Sequence, residues 1–378
     1  MHKIMLIFGT RPEAIKMLPL YNEIRKLKQF EVLVCVTGQH RGMLDQVLNL
    51  FEVVPDFDLD IMQSGQDLTD VTTKILQGLR DLFEKVSPDL VLVHGDTATT
   101  FAASLACYFQ KIKVGHIEAG LRTHDLYSPW PEEGNRRLTS VLSNLNFAPT
   151  ASAKLNLLNE GFNEESIFVT GNTVIDALYF VINKIENNID MNESLSKFFS
   201  FLDLNKKLIL ITGHRRENFG KGFENICSAI SQLADIYPDI QFVYPMHLNP
   251  NVREPVQKYL SSKSNIFLIE PLDYLPFVYL MNNSYFILTD SGGIQEEAPA
   301  LGKPVLLMRD TTERPEAVES GTVKLVGTDI EKIIEYACKL INNNDLYNNM
   351  SLASNPYGNG DSSATILHAI TEIFSDKV

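Results

Sequence analysis

Three carboxylates stand where short apolar runs give way to a turn or a helix start: Asp96 in His94-Gly95-Asp96, Glu118 in His116-Ile117-Glu118-Ala119-Gly120, and Glu132 in Pro129-Trp130-Pro131-Glu132-Glu133. Carboxylates gathered at strand ends shift one another's proton affinity by repulsion and burial, which is what general acid and base work requires. Asp96 also reads as a helix N-cap, and Glu132 with Glu133 as first-turn partners of a helix dipole. Glu118 has no capping role of that kind. His214, in Thr212-Gly213-His214-Arg215-Arg216, repeats the strand-then-loop arrangement and reads as a proton donor or as a cation beside a leaving phosphate. His247, in Met246-His247-Leu248, offers the same chemistry in a plainer setting.

A second group of residues suits an anion. An apolar run stops at Asp290, Ser291-Gly292-Gly293 opens a helical pattern from Ile294 to Leu301, and Gly302-Lys303-Pro304 ends it. Two glycines let the backbone approach a ligand, and the free N–H groups of a helix start favour phosphate oxygens. Glu297, one turn inside, is placed to accept ribose hydroxyls. The first strand ends in Gly9-Thr10-Arg11-Pro12-Glu13-Ala14-Ile15-Lys16, which is not the GxGxxG fingerprint, and no Walker-type phosphate loop occurs in the sequence. Arg11 and Lys16 bring side-chain charge to a phosphate or a sugar hydroxyl instead, and Arg309 and Arg314 follow the Ser-Gly-Gly helix. The net charge of −14 argues against broad contact with nucleic acid or an anionic membrane, so an anionic ligand needs such local basic pockets. The histidine spacings match no metal motif, and no metal or cofactor is expected.

Elements that hold these residues are legible as short apolar runs alternating with amphipathic segments, the pattern of parallel sheets covered by helices. In the first half the expected strands are Lys3-Phe8, Glu31-Thr37, Leu90-His94, Val114-Glu118, Leu145-Ala148 and Ile167-Thr170. In the second they are Leu208-Thr212, Gln241-Pro245, Ile266-Ile269, Phe286-Thr289, Val305-Met308 and Thr322-Leu325. At 378 residues two domains are expected. The fold class is α/β: two Rossmann-like domains facing a central cleft, where ligands of such sheets gather. The boundary is expected near residue 172, with a polar linker stretch at 187–192. A last helix, Ser362 to Phe374, returns to the first domain, giving domains of 1–171 plus 361–378 and of 172–360. Cys35, Cys107, Cys227 and Cys338 are far apart and read as buried thiols. No run approaches a membrane span or a cleavable signal, so a cytoplasmic location is expected.

Eight ordered motifs then carry a resemblance over essentially the whole chain: Phe8-Gly9-Thr10-Arg11-Pro12-Glu13, His94-Gly95-Asp96-Thr97, His116-Ile117-Glu118-Ala119-Gly120-Leu121-Arg122, Pro131-Glu132-Glu133-x-Asn135-Arg136, Gly171-Asn172-Thr173, Gly213-His214-Arg215-Arg216-Glu217-Asn218, Asp290-Ser291-Gly292-Gly293-Ile294-Gln295-Glu296-Glu297 and Arg309-x-x-Thr312-Glu313-Arg314-Pro315-Glu316. Together they resemble the non-hydrolysing bacterial UDP-N-acetylglucosamine 2-epimerases, which have the GT-B fold. The resemblance implies interconversion of UDP-N-acetylglucosamine and UDP-N-acetylmannosamine without nicotinamide or metal. It implies elimination of UDP to bound 2-acetamidoglucal, then re-addition after protonation of the opposite face of C2. Asp96, Glu118, Glu132 and His214 would carry that chemistry; Arg11, Lys16, Phe277, Ser291, Gly292, Gly293, Glu297 and Arg314 would bind substrate.

Within that resemblance Asp96 and Glu132 are the favoured proton carriers, Glu118 positions the sugar, and His214 stabilises the departing diphosphate; which carboxylate serves which face stays open. Gln46, Arg215, Glu217 and His247 match positions where some family members bind a second UDP-N-acetylglucosamine as activator, although Lys74 stands where an arginine would be sought. Homodimerisation and supply of N-acetylmannosamine units for surface polysaccharide are also implied. The rival readings are a GT-B UDP-sugar glycosyltransferase, a hydrolysing epimerase, and a non-catalytic UDP-sugar sensor. A sensor needs none of the four acid/base candidates, all of which are present.

Overall fold

A computed structural model describes residues 1–38, 41–63, 65–203 and 205–375. His40 and the end of the expected C-terminal segment, 376–378, lie outside the described residues. The chain forms two compact units, Met1–Tyr179 with Tyr357–Val378, and Phe180–Pro356.

In chain order the first unit contains β1 (His2–Phe8), α1 (Arg11–Ile24), β2 (Phe30–Val36), α2 (Arg41–Leu50), β3 (Phe57–Asp58), α3 (Leu68–Val86), β4 (Leu90–His94), α4 (Ala98–Gln110), β5 (Lys113–Ile117), α5 (Glu132–Leu142), β6 (Leu145–Ala148), α6 (Ala151–Asn159) and β7 (Ile167–Val169). Helix α7 (Thr173–Glu186) crosses into the second unit. There follow α8 (Ile189–Phe198), β8 (Leu208–Thr212), α9 (Lys221–Ile236), β9 (Gln241–Pro245), α10 (Pro250–Leu260), β10 (Ile266–Ile269), α11 (Tyr274–Asn282), β11 (Phe286–Thr289), α12 (Ile294–Ala300), β12 (Val305–Leu307), α13 (Pro315–Glu319), β13 (Val323–Leu325), α14 (Ile330–Asn342) and α15 (Asn344–Ser351). The last helix, α16 (Ser362–Ser375), belongs to the first unit, where Phe374 packs its ring 5.8 Å from that of Phe30.

The central strands are covered on both faces. β4 reads Leu90-Val91-Leu92-Val93-His94 and every residue of it is buried, so a continuous apolar run marks it. The covering helices are amphipathic: α3 buries Val71, Ile75, Leu79, Leu82 and Phe83, one stripe at helical spacing. Asp67 starts that helix by accepting the Asp70 N–H at 2.8 Å, and Ser87 ends it in the left-handed conformation. Met5, Ile7, Val91 and Val93 meet Ala102, Ala103 and Cys107 of α4 in the first core. Ile209, Ile211, Phe242 and Leu288 meet Phe223, Ile226 and Ile230 of α9 in the second.

Among the described residues the first sheet has the order β3-β2-β1-β4-β5-β6-β7 and the second β10-β9-β8-β11-β12-β13. All their pairings are parallel. Strand order reverses beside β1 and β4 in one sheet and beside β8 and β11 in the other. Loops leaving the carboxyl ends of neighbouring strands there diverge to opposite faces and open a crevice. The strands fall within one residue of the positions read from the sequence, and the α/β class is the expected one. Two features differ. The two-residue β3 was not foreseen, since it has no apolar run of its own. The polar stretch at 187–192, expected as a linker, contains the start of α8, because Asn188 caps it by accepting the Met191 N–H at 2.9 Å. Among the described residues no helix is long and apolar enough to cross a membrane.

Candidate active site

At the β1/β4 reversal the two turns are laced by one carboxylate. Glu13 is 2% exposed and accepts the N–H groups of Gly9 at 3.0 Å and Thr10 at 2.8 Å, and the Thr97 hydroxyl at 2.7 Å. Burial pushes its pKa up, and those donors pull the other way. The lacing fixes where α1 leaves the sheet, with Arg11 half-buried at its first position. One turn further on, the Lys16 ammonium is bonded to the Glu118 carboxylate.

Glu118 follows β5 and has a φ of 64°, left-handed backbone that L residues avoid at about 1–2 kcal/mol. The sequence had placed it as the last residue of the strand; the positive φ turns it out of the ladder instead. Its carboxylate also receives the Asn172 amide at 2.8 Å, and His94 Nε2 lies 3.8 Å away.

Asp96 does not cap α4. Thr97 does, its hydroxyl accepting the Thr100 N–H at 3.1 Å. The Asp96 carboxylate instead pairs with Arg136 of α5 at 2.7 Å, and its backbone carbonyl accepts from Asn135 at 2.8 Å. Burial pushes the Asp96 pKa up; Arg136 opposes, while Glu118 and Glu132 push the same way. The two glutamates at the start of α5 divide their work. Glu133 is wholly buried and accepts the Thr123 N–H at 3.1 Å and an Arg136 N–H at 3.2 Å, a structural role. Glu132 presents one carboxylate oxygen that is buried without a hydrogen-bond partner. His116, wholly buried, meets the Gly95 carbonyl at 2.7 Å and so ties β5 to the Asp96 loop; burial pushes its pKa to about 4.

The β8/β11 reversal of the second unit is built the same way. Asp290, wholly buried, accepts the His214 N–H at 2.9 Å, the Arg215 N–H at 2.9 Å and the Asn218 amide at 3.3 Å. The His214 ring, 43% exposed and so partly desolvated, stacks on His247 with centroids 5.3 Å apart, and its Nδ1 lies 3.8 Å from Asp290. Desolvation pushes the His214 pKa down, against the pull of Asp290. Ser291 and Gly292 lead into Gly293, which begins α12. Neither glycine has a positive φ, so the reason for Gly292 is space: a Cβ there would come within 2.8 Å of Arg314 Nη1. Glu297 is 7% exposed and accepts the Tyr274 hydroxyl at 2.8 Å. Phe277 is half-buried one turn along α11 from Tyr274.

Arg314 pairs with Glu296 at 2.5 Å and Glu313 at 2.9 Å, and Arg309 with Glu217 and Glu313 at 2.6 Å each. Burial would raise the Glu313 pKa, but Arg314 and Arg309 hold it down at about 2. Arg215 reaches Glu313 at 3.5 Å.

The structure thus gathers Lys16, Asp96, Glu118 and Glu132 in the first unit. In the second, His214 stands beside His247, and Gly292 beside Arg314. Gln46 is exposed on α2 of the first unit, whereas Arg215, Glu217 and His247 belong to the second. Sequence reasoning gave no role to Glu13, Arg136, Asn172, Asp290 or Tyr274. The first four lie inside the quoted motifs; Tyr274, a tyrosine in an apolar helix, carries no local signal. Among the described residues no group of three or more His, Cys, Asp or Glu side chains is arranged to hold a metal ion.

Known proteins with this arrangement agree with one another. The sequence profile of the UDP-N-acetylglucosamine 2-epimerase family matches residues 22–371. A UDP-N-acetylglucosamine 2-epimerase of Yersinia pestis is 60% identical over 368 residues, covering 97% of this chain and 98% of that protein. The crystal structure of the Neisseria meningitidis enzyme bound to UDP-GlcNAc superposes with a TM-score of 0.91 at 56% identity, over 98% of this chain and 100% of that one. The Methanocaldococcus jannaschii enzyme, solved in complex with UDP-GlcNAc and UDP, gives 0.81 at 36% identity, over 98% and 99%.

Proposed function

The chain belongs to the UDP-N-acetylglucosamine 2-epimerase family, and from that premise we propose that it interconverts UDP-N-acetylglucosamine and UDP-N-acetylmannosamine by eliminating UDP and adding it back. The C2 proton of the sugar is not next to a carbonyl, so its direct removal would leave a poorly stabilised carbanion. Breaking the C1–oxygen bond as the proton leaves avoids that: the C–H electron pair becomes the C1–C2 double bond of 2-acetamidoglucal, and UDP takes the pair of the broken bond. Protonation of C2 from the other face and return of a UDP oxygen to C1 complete the exchange.

The observation that carries this reading is the cluster of Asp96, Glu118 and Glu132 around Lys16 and Arg136. Burial raises the Asp96 pKa above that of an ordinary aspartate, which makes its carboxyl a better proton donor-acceptor pair than a free one. Glu132, with a buried oxygen lacking a partner, is the complementary carrier. Glu118, held by Lys16 and Asn172, orients the sugar. Ser291, Gly292, Gly293, Glu297, Phe277, Arg11 and Arg314 hold UDP. His214, with its pKa pushed down by burial, acts on the departing diphosphate as a hydrogen-bond donor more than as a standing cation.

The same proposal makes the protein a cytoplasmic homodimer that supplies N-acetylmannosamine units for surface polysaccharide. Sedimentation of the purified protein at twice the chain mass is the expected state. Activation by a second UDP-N-acetylglucosamine, attached to Gln46, Arg215, Glu217 and His247, fails if kinetics from the mannosamine side are strictly hyperbolic.

The deciding experiment is proton NMR of UDP-N-acetylglucosamine with the protein in deuterated buffer, without cofactor or acceptor. UDP-N-acetylmannosamine carrying deuterium at C2 is the expected product. An unchanged sugar from both starting epimers would overturn the reading.

A further inference from the structure

We propose that His94 is a positioning residue that keeps the Glu118 carboxylate in place when Lys16 turns from it toward an anionic ligand. The inference rests on the reaction proposed above for Glu118.

His94 closes a strand that is otherwise Leu90-Val91-Leu92-Val93, and it is only 4% exposed. A polar ring at the buried end of such a strand is expensive unless it has a partner. Its Nε2 nevertheless lacks a hydrogen bond, and the nearest carboxylate oxygen, Glu118 Oε2, is 3.8 Å away. That gap is too long for a hydrogen bond, and a shift of about 1 Å by the glutamate would close it. The same oxygen already takes the Asn172 amide at 2.8 Å and the Lys16 ammonium.

The three neighbours of that oxygen differ in kind. Lys16 is a charge on a long flexible stem, the group an incoming diphosphate would attract. Asn172 and His94 approach that oxygen on short side chains, His94 from the end of β4 and Asn172 from the turn after β7. Burial pushes the His94 pKa to about 3, with Glu118 opposing and Lys16 and His116 adding to the fall. The ring is therefore neutral at working pH. A neutral donor steadies a carboxylate without repelling the ammonium beside it. The other groups facing this cluster are Asp96 on the following loop, His116 on β5, and Glu132 and Arg136 on α5. Among them only Arg136 is a permanent cation, and it is committed to Asp96 and Glu133.

The test compares the full-length wild type with His94→Phe and His94→Gln. One readout is the pH titration of the Glu118 carboxyl carbon by NMR of protein labelled at glutamate and saturated with UDP, the anion that draws Lys16 away, assigned with Glu118→Gln. The others are the kcat and KM of epimerisation and the melting temperature. In His94→Phe the midpoint of the Glu118 signal should move to higher pH, and kcat should fall by about tenfold or more while KM changes by less than about threefold, the mark of an interaction made in the transition state. His94→Gln, which keeps an N–H, should restore both. Superimposable Glu118 titrations in wild type and His94→Phe would overturn the proposal. So would a loss of kcat that tracks melting temperature and is not recovered by glutamine. If the wild type leaves the sugar unexchanged, the proposed reaction fails, and the Glu118 titration still decides the role of His94.

Discussion

Asp290 grips the backbone of His214 with both carboxylate oxygens, at 3.1 and 2.9 Å, across 76 residues of sequence. The histidine proposed to meet the leaving diphosphate is thus fixed at its main chain by the first residue past the neighbouring strand β11, where the Ser-Gly-Gly turn begins. Glu13 does the equivalent in the first unit, where it joins Gly9 and Thr10 to Thr97.

Replacing Asp290 separates lacing from charge. Asp290→Ala leaves the His214 and Arg215 N–H groups without their acceptor, and should destabilise the second unit by about 2–4 kcal/mol, the order expected for losing charge-assisted bonds in a buried site. Asp290→Asn keeps one acceptor oxygen and should cost less. Because Asp290 opposes the fall of the His214 pKa, the asparagine variant should also titrate His214 lower than wild type. Urea denaturation and imidazole NMR check the two halves; a His214 titration unmoved in Asp290→Asn would contradict the second.

The pH dependence of Asp96 has a definite sign. A carboxyl whose folded pKa is raised above its unfolded value favours the fold while protonated, and that contribution is lost as pH rises through the folded pKa. Asp96→Asn removes the loss. Its melting temperature relative to wild type should therefore climb as pH rises from below the ordinary aspartate range, and level off above the folded pKa. The same variant should lose at least about a hundredfold in kcat, the usual size of a general acid–base contribution. A melting difference that shrinks toward neutral pH would contradict the burial argument.

Two glycines should fail in different ways. At Gly292 an added Cβ would press on the ends of two flexible side chains, Arg314 Nη1 and Glu313 Oε1, each at 2.8 Å. Gly292→Ala should leave folding within about 1 kcal/mol of wild type, as for a substitution whose neighbours can yield, while raising KM for the UDP-sugar by displacing Arg314. Gly120 has a φ of 87° and a Cβ there would fall 2.2 Å from the Ala153 carbonyl oxygen. Gly120→Ala should therefore unfold the first unit at a markedly lower temperature, by about 1–3 kcal/mol from backbone strain alone. Calorimetry beside steady-state kinetics distinguishes them.

Much of the fold was legible because buried parallel strands write themselves as continuous apolar runs, as Leu90 to His94 and Leu208 to Thr212 do. The candidate residues were legible because strand ends are where such sheets expose side chains. Partners were not: Lys16 meets Glu118 across 102 residues, and Asn172 reaches the same carboxylate across 54. No local pattern encodes a bond of that span. Glu132 and Glu133 were adjacent and indistinguishable as letters, and only the packing of α5 turned one inward to Thr123 and Arg136. The left-handed backbone of Glu118 was equally hidden, since the glycine two residues later was the more obvious turn signal.

Cys35 and Cys107 lie wholly buried in the core of the first unit and Cys227 in that of the second. Burial pushes their thiols far from the reactive range, to about 12 for Cys35 and Cys227 and higher still for Cys107. Alkylation of each therefore waits for its own half to open, while the half-buried Cys338 offers an internal reference. The molecule carries a native chemical clock for each half, so the opening free energies of the two can be timed separately, by mass, in the unaltered chain.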